Sequence, residues 1–131
     1  MSSGNIETVP DRRWPEGGIT RIPAWIYSDP EIFSREMEVF HYGRTWNFVG
    51  LDCELPEPGC YKRSWIGERP VIVTRDQDGG INVVENRCAH RGSLICWKVR
   101  GQARDLTCPY HHWSYDLKGN LMGLPFLRGT Q

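Results

Sequence analysis

The sequence predicts a mainly β domain: an antiparallel sandwich or small barrel with two metal-binding hairpin loops, preceded by an N-terminal arm and one helix. Three observations predict it. After Gly43 the chain breaks into short apolar or β-branched runs separated by turn residues. One stretch before that point carries helical periodicity. Between the predicted strands lie two loops of like construction, each with a cysteine followed closely by a histidine.

With 131 residues the chain is the size of one ordinary domain and can bury a core without disulfides. Lys plus Arg and Asp plus Glu both number 16, so the overall charge steers toward neither a nucleic-acid backbone nor an anionic membrane. The polar start "MSSGNIETVPDRR" lacks the apolar stretch of a secretory signal, and no run approaches the length of a bilayer span, which points to the cytoplasm. The 5 cysteines form an odd set with no export signal, which argues against a disulfide framework. Cys53, Cys60 and Cys96 read as small buried apolar residues, whereas Cys88 and Cys108 have histidines beside them.

Residues 1–43 read as arm and helix. Pro10, Pro15, Gly17, Gly18 and Pro23 among mixed charges make residues 1–23 an extended arm, with Trp14 and Trp25 packing on something nearby. In "SDPEIFSREMEVF", Ser28 or Asp29 caps a helix, Pro30 suits its first turn, and Glu31 stands three residues after Ser28 as in a capping box. At about 100° per residue, Ile32, Phe33, Met37, Val39 and Phe40 share an arc that also takes in Glu36. One amphipathic helix over 29–41 is expected, with His41 complementing the dipole at its end.

Residues 44–131 read as the β domain. "WNFVGL" precedes the turn "PEPG", and "CYKRSWI" precedes "GERP". "VIVTR" and "INVVE" flank "DQDGG", where Asp78-Gly79 signals a hairpin. "SYDL" and "LMGL" flank Lys118-Gly119-Asn120. No internal repeat or low-complexity segment is visible.

The chemistry sits in two loops: Cys88-Ala89-His90 and, after seventeen residues, Cys108-Pro109-Tyr110-His111. Each offers one thiolate and one imidazole, and strands that fix a loop's base let its tip aim side chains at a shared point. Four such ligands can hold zinc tetrahedrally, and zinc is the commonest occupant of mixed cysteine and histidine sites. From ligand types alone, zinc and an iron–sulfur cluster both stay open.

The flanking residues narrow the choice. "CAHRGSL" and "CPYHHWSYDLKGNL" resemble the paired fingerprint of Rieske iron–sulfur domains at the N-terminus of the large (α) subunit of aromatic ring-hydroxylating oxygenases. Cys88, His90, Arg91, Gly92, Cys108, Tyr110, His111 and Trp113 fit it in register, and from Arg21 to Gly129 the chain is similar to the salicylate, anthranilate and terephthalate branch. The resemblance implies a Rieske-type fold and a 2Fe-2S cluster, with Cys88 and Cys108 on one iron and His90 and His111 on the other. His112 takes a position where many relatives carry glycine and is not expected to be a ligand. Ser93 and Tyr110 stand where respiratory-chain Rieske proteins carry the two cysteines of a loop-locking disulfide, and Cys96 falls three residues too late to substitute. This implies the soluble oxygenase type, with a reduction potential of roughly −150 mV. Tyr115 either donates a hydrogen bond toward a cysteine sulfur, as in relatives, or simply packs its ring.

Function follows from the same resemblance. It implies an oxidoreductase of aromatic catabolism that takes electrons from a ferredoxin or reductase, and ultimately NADH, to hydroxylate an aromatic acid. The mononuclear non-haem iron that activates dioxygen normally takes two histidines and a carboxylate. With His90 and His111 committed, only His41 and His112 remain, so that iron is expected only in a larger C-terminal catalytic domain absent from this chain. Neighbouring α subunits, often with a small β subunit, are the implied partners. The alternative is a free-standing Rieske-type ferredoxin, an electron carrier without catalysis; the arm and helix favour the oxygenase reading. A colourless protein with stoichiometric zinc would instead mark a structural zinc domain.

Overall fold

Asp29 sets the start of the helix. Its carboxylate accepts hydrogen bonds from the N–H groups of Glu31 (2.9 Å) and Ile32 (3.3 Å), and Pro30 fills the first turn, where a missing N–H costs nothing. The Ser28 hydroxyl bonds Trp25 O instead, so the expected capping box between Ser28 and Glu31 does not form. The structure, a computed structural model, describes residues 12–125, which fall into two units dividing between Thr45 and Trp46.

In the first unit, α1 (Pro30–Glu36) is shorter than the predicted 29–41 helix and runs into a π-helical turn, Met37–His41, closed by the N–H of Tyr42 on Met37 O. The wider turn shifts the phase of the side chains. The arc expected at 100° per residue does not hold: Met37 is buried, but Phe33 within α1 and Val39 and Phe40 within the wider turn are exposed. Gly43 ends the turn where a Cβ would collide with Val39 O. Trp14 and Trp25 pack edge-to-face on one another, with centroids 6.5 Å apart.

In the second unit, β1 (Cys60–Ile66), β2 (Arg69–Arg75), β3 (Ile81–Glu85) and β4 (Arg100–Gln102) form an antiparallel sheet in the order β3-β2-β1-β4. A second sheet holds β5 (Leu106–Thr107), β6 (Ser114–Tyr115) and β7 (Leu121–Gly123). The predicted strand "WNFVGL" is not one. Both edges of β1 are taken by β2 and β4, and residues 46–51 stay outside the ladder before a 3₁₀ turn, Asp52–Glu54. Arg75 holds that segment through Asp52 and Leu55 O. Strands β4 and β5, "RGQ" and "LT", are too short and too polar to show an alternation in sequence.

Two aspartates build hairpin turns, one in each sheet. The Asp76 carboxylate accepts from the N–H groups of Asp78 and Gly80 and from Asn82 Nδ2, closing the β2–β3 hairpin around Gly79, whose φ is 86°. Asp116 does the same for β6–β7 with Lys118 N–H, Asn120 N–H and Asn120 Nδ2. Lys118 Nζ lies 2.8 Å from Asp78 and 3.6 Å from Asp76, bridging the two turns, and the buried Thr74 hydroxyl donates to Leu117 O. Between the sheets the core gathers Tyr61, Ile72, Ile95, Leu106, Tyr115 and Leu117 around Cys88, Cys96 and Cys108. Cys53, expected to be buried, is exposed, and Cys60 is half-buried. Among the described residues no helix is long and apolar enough to cross a membrane.

Candidate metal centre

The two predicted ligand loops share one backbone frame. In the first, Cys88 N–H donates to Ser93 O (2.8 Å) and Gly92 N–H to Cys88 O (2.9 Å). In the second, Cys108 N–H donates to Trp113 O (2.8 Å) and His112 N–H to Cys108 O (3.0 Å). Each frame needs a left-handed residue at its fifth position, and Gly92 (φ 71°) and His112 (φ 58°) supply it. Among the described residues His112 is the one non-glycine with positive φ. This gives a physical reason for glycine at that position and leaves the His112 side chain exposed.

The bases of the loops differ. The second is the tip of the β5–β6 hairpin, closed by the pairs Leu106 with Tyr115 and Thr107 with Ser114. The first joins β3 to β4, which sit at opposite edges of their sheet, so no ladder closes it. A buried amide that sequence reasoning did not single out, Asn86, spans its base. The only signal available in sequence is a polar residue at the end of a strand, two before the first cysteine.

Both cysteines are buried, at 2% and 1% exposure, and both are free thiols. Tyr115 Oη lies 3.2 Å from Cys88 Sγ and accepts the Ala89 N–H at 3.1 Å. Burial pushes the Cys88 thiol up, but hydrogen bonding from Tyr115, the His90 N–H, Cys108 and the Arg91 N–H outweighs it and holds the group below its ordinary value. Burial and the hydrogen bond to Cys88 raise the Tyr115 phenol, so it stays protonated at neutral pH.

The imidazoles of His90 and His111 face each other, with centroids 4.6 Å apart and planes at 68°. The His90 ring stacks on the Trp113 indole at 4.7 Å and 9°, and the His111 ring lies 3.8 Å from that of Tyr110. Arg91 carries its charge 5.7 Å from the Tyr110 ring centre. Burial, then the positive charge of His90, Arg91 and His112, lowers the His111 pKa and favours the neutral, ligating form. Neither imidazole has a hydrogen bond or ion pair among the described residues, so their nitrogens are free to ligate. No three of His, Cys, Asp or Glu gather among those residues as a site for one ion requires. Two buried thiols, Cys88 and Cys108, and the facing imidazoles of His90 and His111 are a donor set that suits a cluster of two metals.

A profile of the Rieske [2Fe-2S] domain matches residues 45–131. The chain belongs to the Rieske iron–sulfur domain family. The chain is 52% identical over 121 residues to the large oxygenase component of salicylate 5-hydroxylase from Ralstonia sp, covering 92% of this chain and 29% of that protein. It is 45% identical, with the same coverage, to the large subunit of anthranilate 1,2-dioxygenase from Burkholderia cepacia. Among solved structures, naphthalene 1,2-dioxygenase from Rhodococcus sp. bound to indole superposes with a TM-score of 0.72 at 38% identity, covering 79% of this chain and 23% of that one. The chain thus spans under a third of the length of the curated relatives it matches.

Proposed function

We propose that Cys88, His90, Cys108 and His111 hold a 2Fe-2S cluster, and that residues 44–131 form the electron-transfer domain of an aromatic ring-hydroxylating oxygenase α subunit. The observation that carries this is the pairing of two buried free thiols with two imidazoles whose nitrogens have no other partner. A bound 2Fe-2S cluster with two imidazole ligands supplies reversible one-electron transfer, at a potential above that of an all-cysteine cluster because two anionic ligands are lost.

The chain's own residues divide the work. Cys88 and Cys108 keep their sulfurs away from water, the first held as an acceptor by the Tyr115 hydroxyl. Trp113 fixes the plane of His90, and Tyr110 packs on His111. His90 is exposed and His111 half-buried, so the imidazole side is where an electron donor or acceptor can approach. The donor is a ferredoxin or reductase, and the acceptor is a mononuclear non-haem iron in the part of the relatives this chain does not match. Neighbouring α subunits, with or without a small β subunit, complete the enzyme. The similarity to large subunits acting on salicylate and anthranilate supports an aromatic acid as substrate.

Reductive titration tests the reading. The purified chain should take up one electron per molecule, reversibly, with bleaching of its visible absorption. A chain that accepts none is not an electron carrier.

A further inference from the structure

We propose that Asn86 is a positioning residue: it closes the loop carrying Cys88 and His90 and so fixes their aim. The proposal rests on the ligand assignment above. Asn86 has no exposed surface, and its side chain is spent wholly on the far end of its own loop. Oδ1 accepts from Ile95 N–H (3.0 Å) and Cys96 N–H (2.8 Å), and Nδ2 donates to Cys96 O (2.8 Å). Its backbone N–H donates to Pro70 O (2.8 Å), fastening the same point to β2.

The need for such a clamp follows from the topology. Strand pairing closes the loop of Cys108 and His111, but β3 and β4 do not pair, so the loop of Cys88 and His90 has no ladder beneath it. The three side-chain bonds supply that missing pairing. Within them, Cys88 N–H to Ser93 O and Gly92 N–H to Cys88 O shape the tip. The chemistry is specific to asparagine. One planar group must accept two N–H donors and donate to a carbonyl beside them; alanine does neither, and glutamine is a methylene longer at a position with no spare space. Ile95 and Cys96 are themselves buried, so losing Asn86 strands two N–H groups and a carbonyl away from water.

The experiment compares the 131-residue chain with Asn86→Ala and with Leu55→Ala, a buried residue outside the core that holds the cysteines. Each is read by spin resonance of the reduced protein and by the rate of iron loss to a chelator. Both substitutions should lower the thermal midpoint. Only Asn86→Ala should shift the spin-resonance line positions and speed iron loss, by about tenfold or more. Native lines and a native loss rate in Asn86→Ala would overturn the proposal, as would equal effects in both variants.

If Asn86→Ala does not fold, amide exchange of the unsubstituted chain decides. A peptide containing Ile95 and Cys96 should exchange as slowly as one from β2, and rapid exchange there refutes the clamp. An unsubstituted chain without iron and sulfide refutes the ligand assignment, and with it the aim given to Asn86; slow exchange at Ile95 and Cys96 would then still support the closure alone.

Discussion

The phenol oxygen of Tyr115 stands 3.2 Å from the sulfur of Cys88 while accepting the N–H of Ala89. That N–H leaves the hydroxyl proton free for the sulfur. A hydrogen bond to a sulfur strengthens as the sulfur gains negative charge, so it favours the reduced site. Tyr115→Phe should therefore lower the reduction potential, by roughly 20–65 mV for the loss of one ordinary hydrogen bond in a one-electron couple. Potentiometric titration checks it, and an unchanged or higher potential would show that the ring merely packs.

His111 and His112 should behave differently although they are neighbours. His111→Ala should abolish the cluster, because its imidazole faces His90; His112→Ala should keep the absorption and spin-resonance spectra. His112 pays for a left-handed backbone with φ 58°. His112→Gly should therefore raise stability by up to about 1 kcal/mol with the iron retained. Iron analysis and denaturant unfolding of the three variants separate the ligand from the turn residue.

Cys53, Cys60 and Cys96 should each accept alanine without loss of iron. Cys53 is exposed and Cys60 half-buried, so the first two changes should cost under about 0.5 kcal/mol. Cys96 is buried in the core, and its replacement should cost on the order of 1 kcal/mol. Iron loss in any of the three would point to a different ligand set.

Acid should weaken the join between the two turns. Hydrogen bonding from Asn82, then the N–H groups of Gly80 and Asp78 and the charge of Lys118, lowers the Asp76 pKa against the opposing effect of burial. At Asp116 burial is the largest influence and acts upward, but hydrogen bonds from Asn120, Lys118 and Gly119 outweigh it and the pKa is again lowered. A depressed carboxylate contributes its full stability above its unfolded value, about 4, and loses it as pH falls through the folded value. Asp76→Asn should thus be less stable than the unsubstituted chain at pH 7, and the difference should shrink as pH falls below about 4. Thermal midpoints across that range provide the check.

The candidate site was legible because its chemistry is local. Cysteine and histidine two or three residues apart, in two loops, follow from short spacings that sequence displays directly. The long strands were legible for the same reason: "CYKRSWI", "VIVTR" and "INVVE" carry their own patterning and became β1, part of β2 and β3. What stayed hidden depends on contacts distant in sequence. Strand β4 exists because it lies against β1, some forty residues earlier, and "WNFVGL" pairs with no strand of either sheet among the described residues. The phase change after Glu36 comes from the π-helical turn Met37–His41, which the apolar pattern does not encode. Asn86 could be recognised only once β3 and β4 were seen at opposite edges of the sheet.

Whether Cys88, His90, Cys108 and His111 hold a 2Fe-2S cluster is decided by an iron and acid-labile sulfide determination on the purified chain, taken with its optical and spin-resonance spectra. Two irons and two sulfides per chain, a coloured protein, and a spin-resonance signal that appears on reduction are expected. A colourless chain holding one zinc and no sulfide would contradict the assignment.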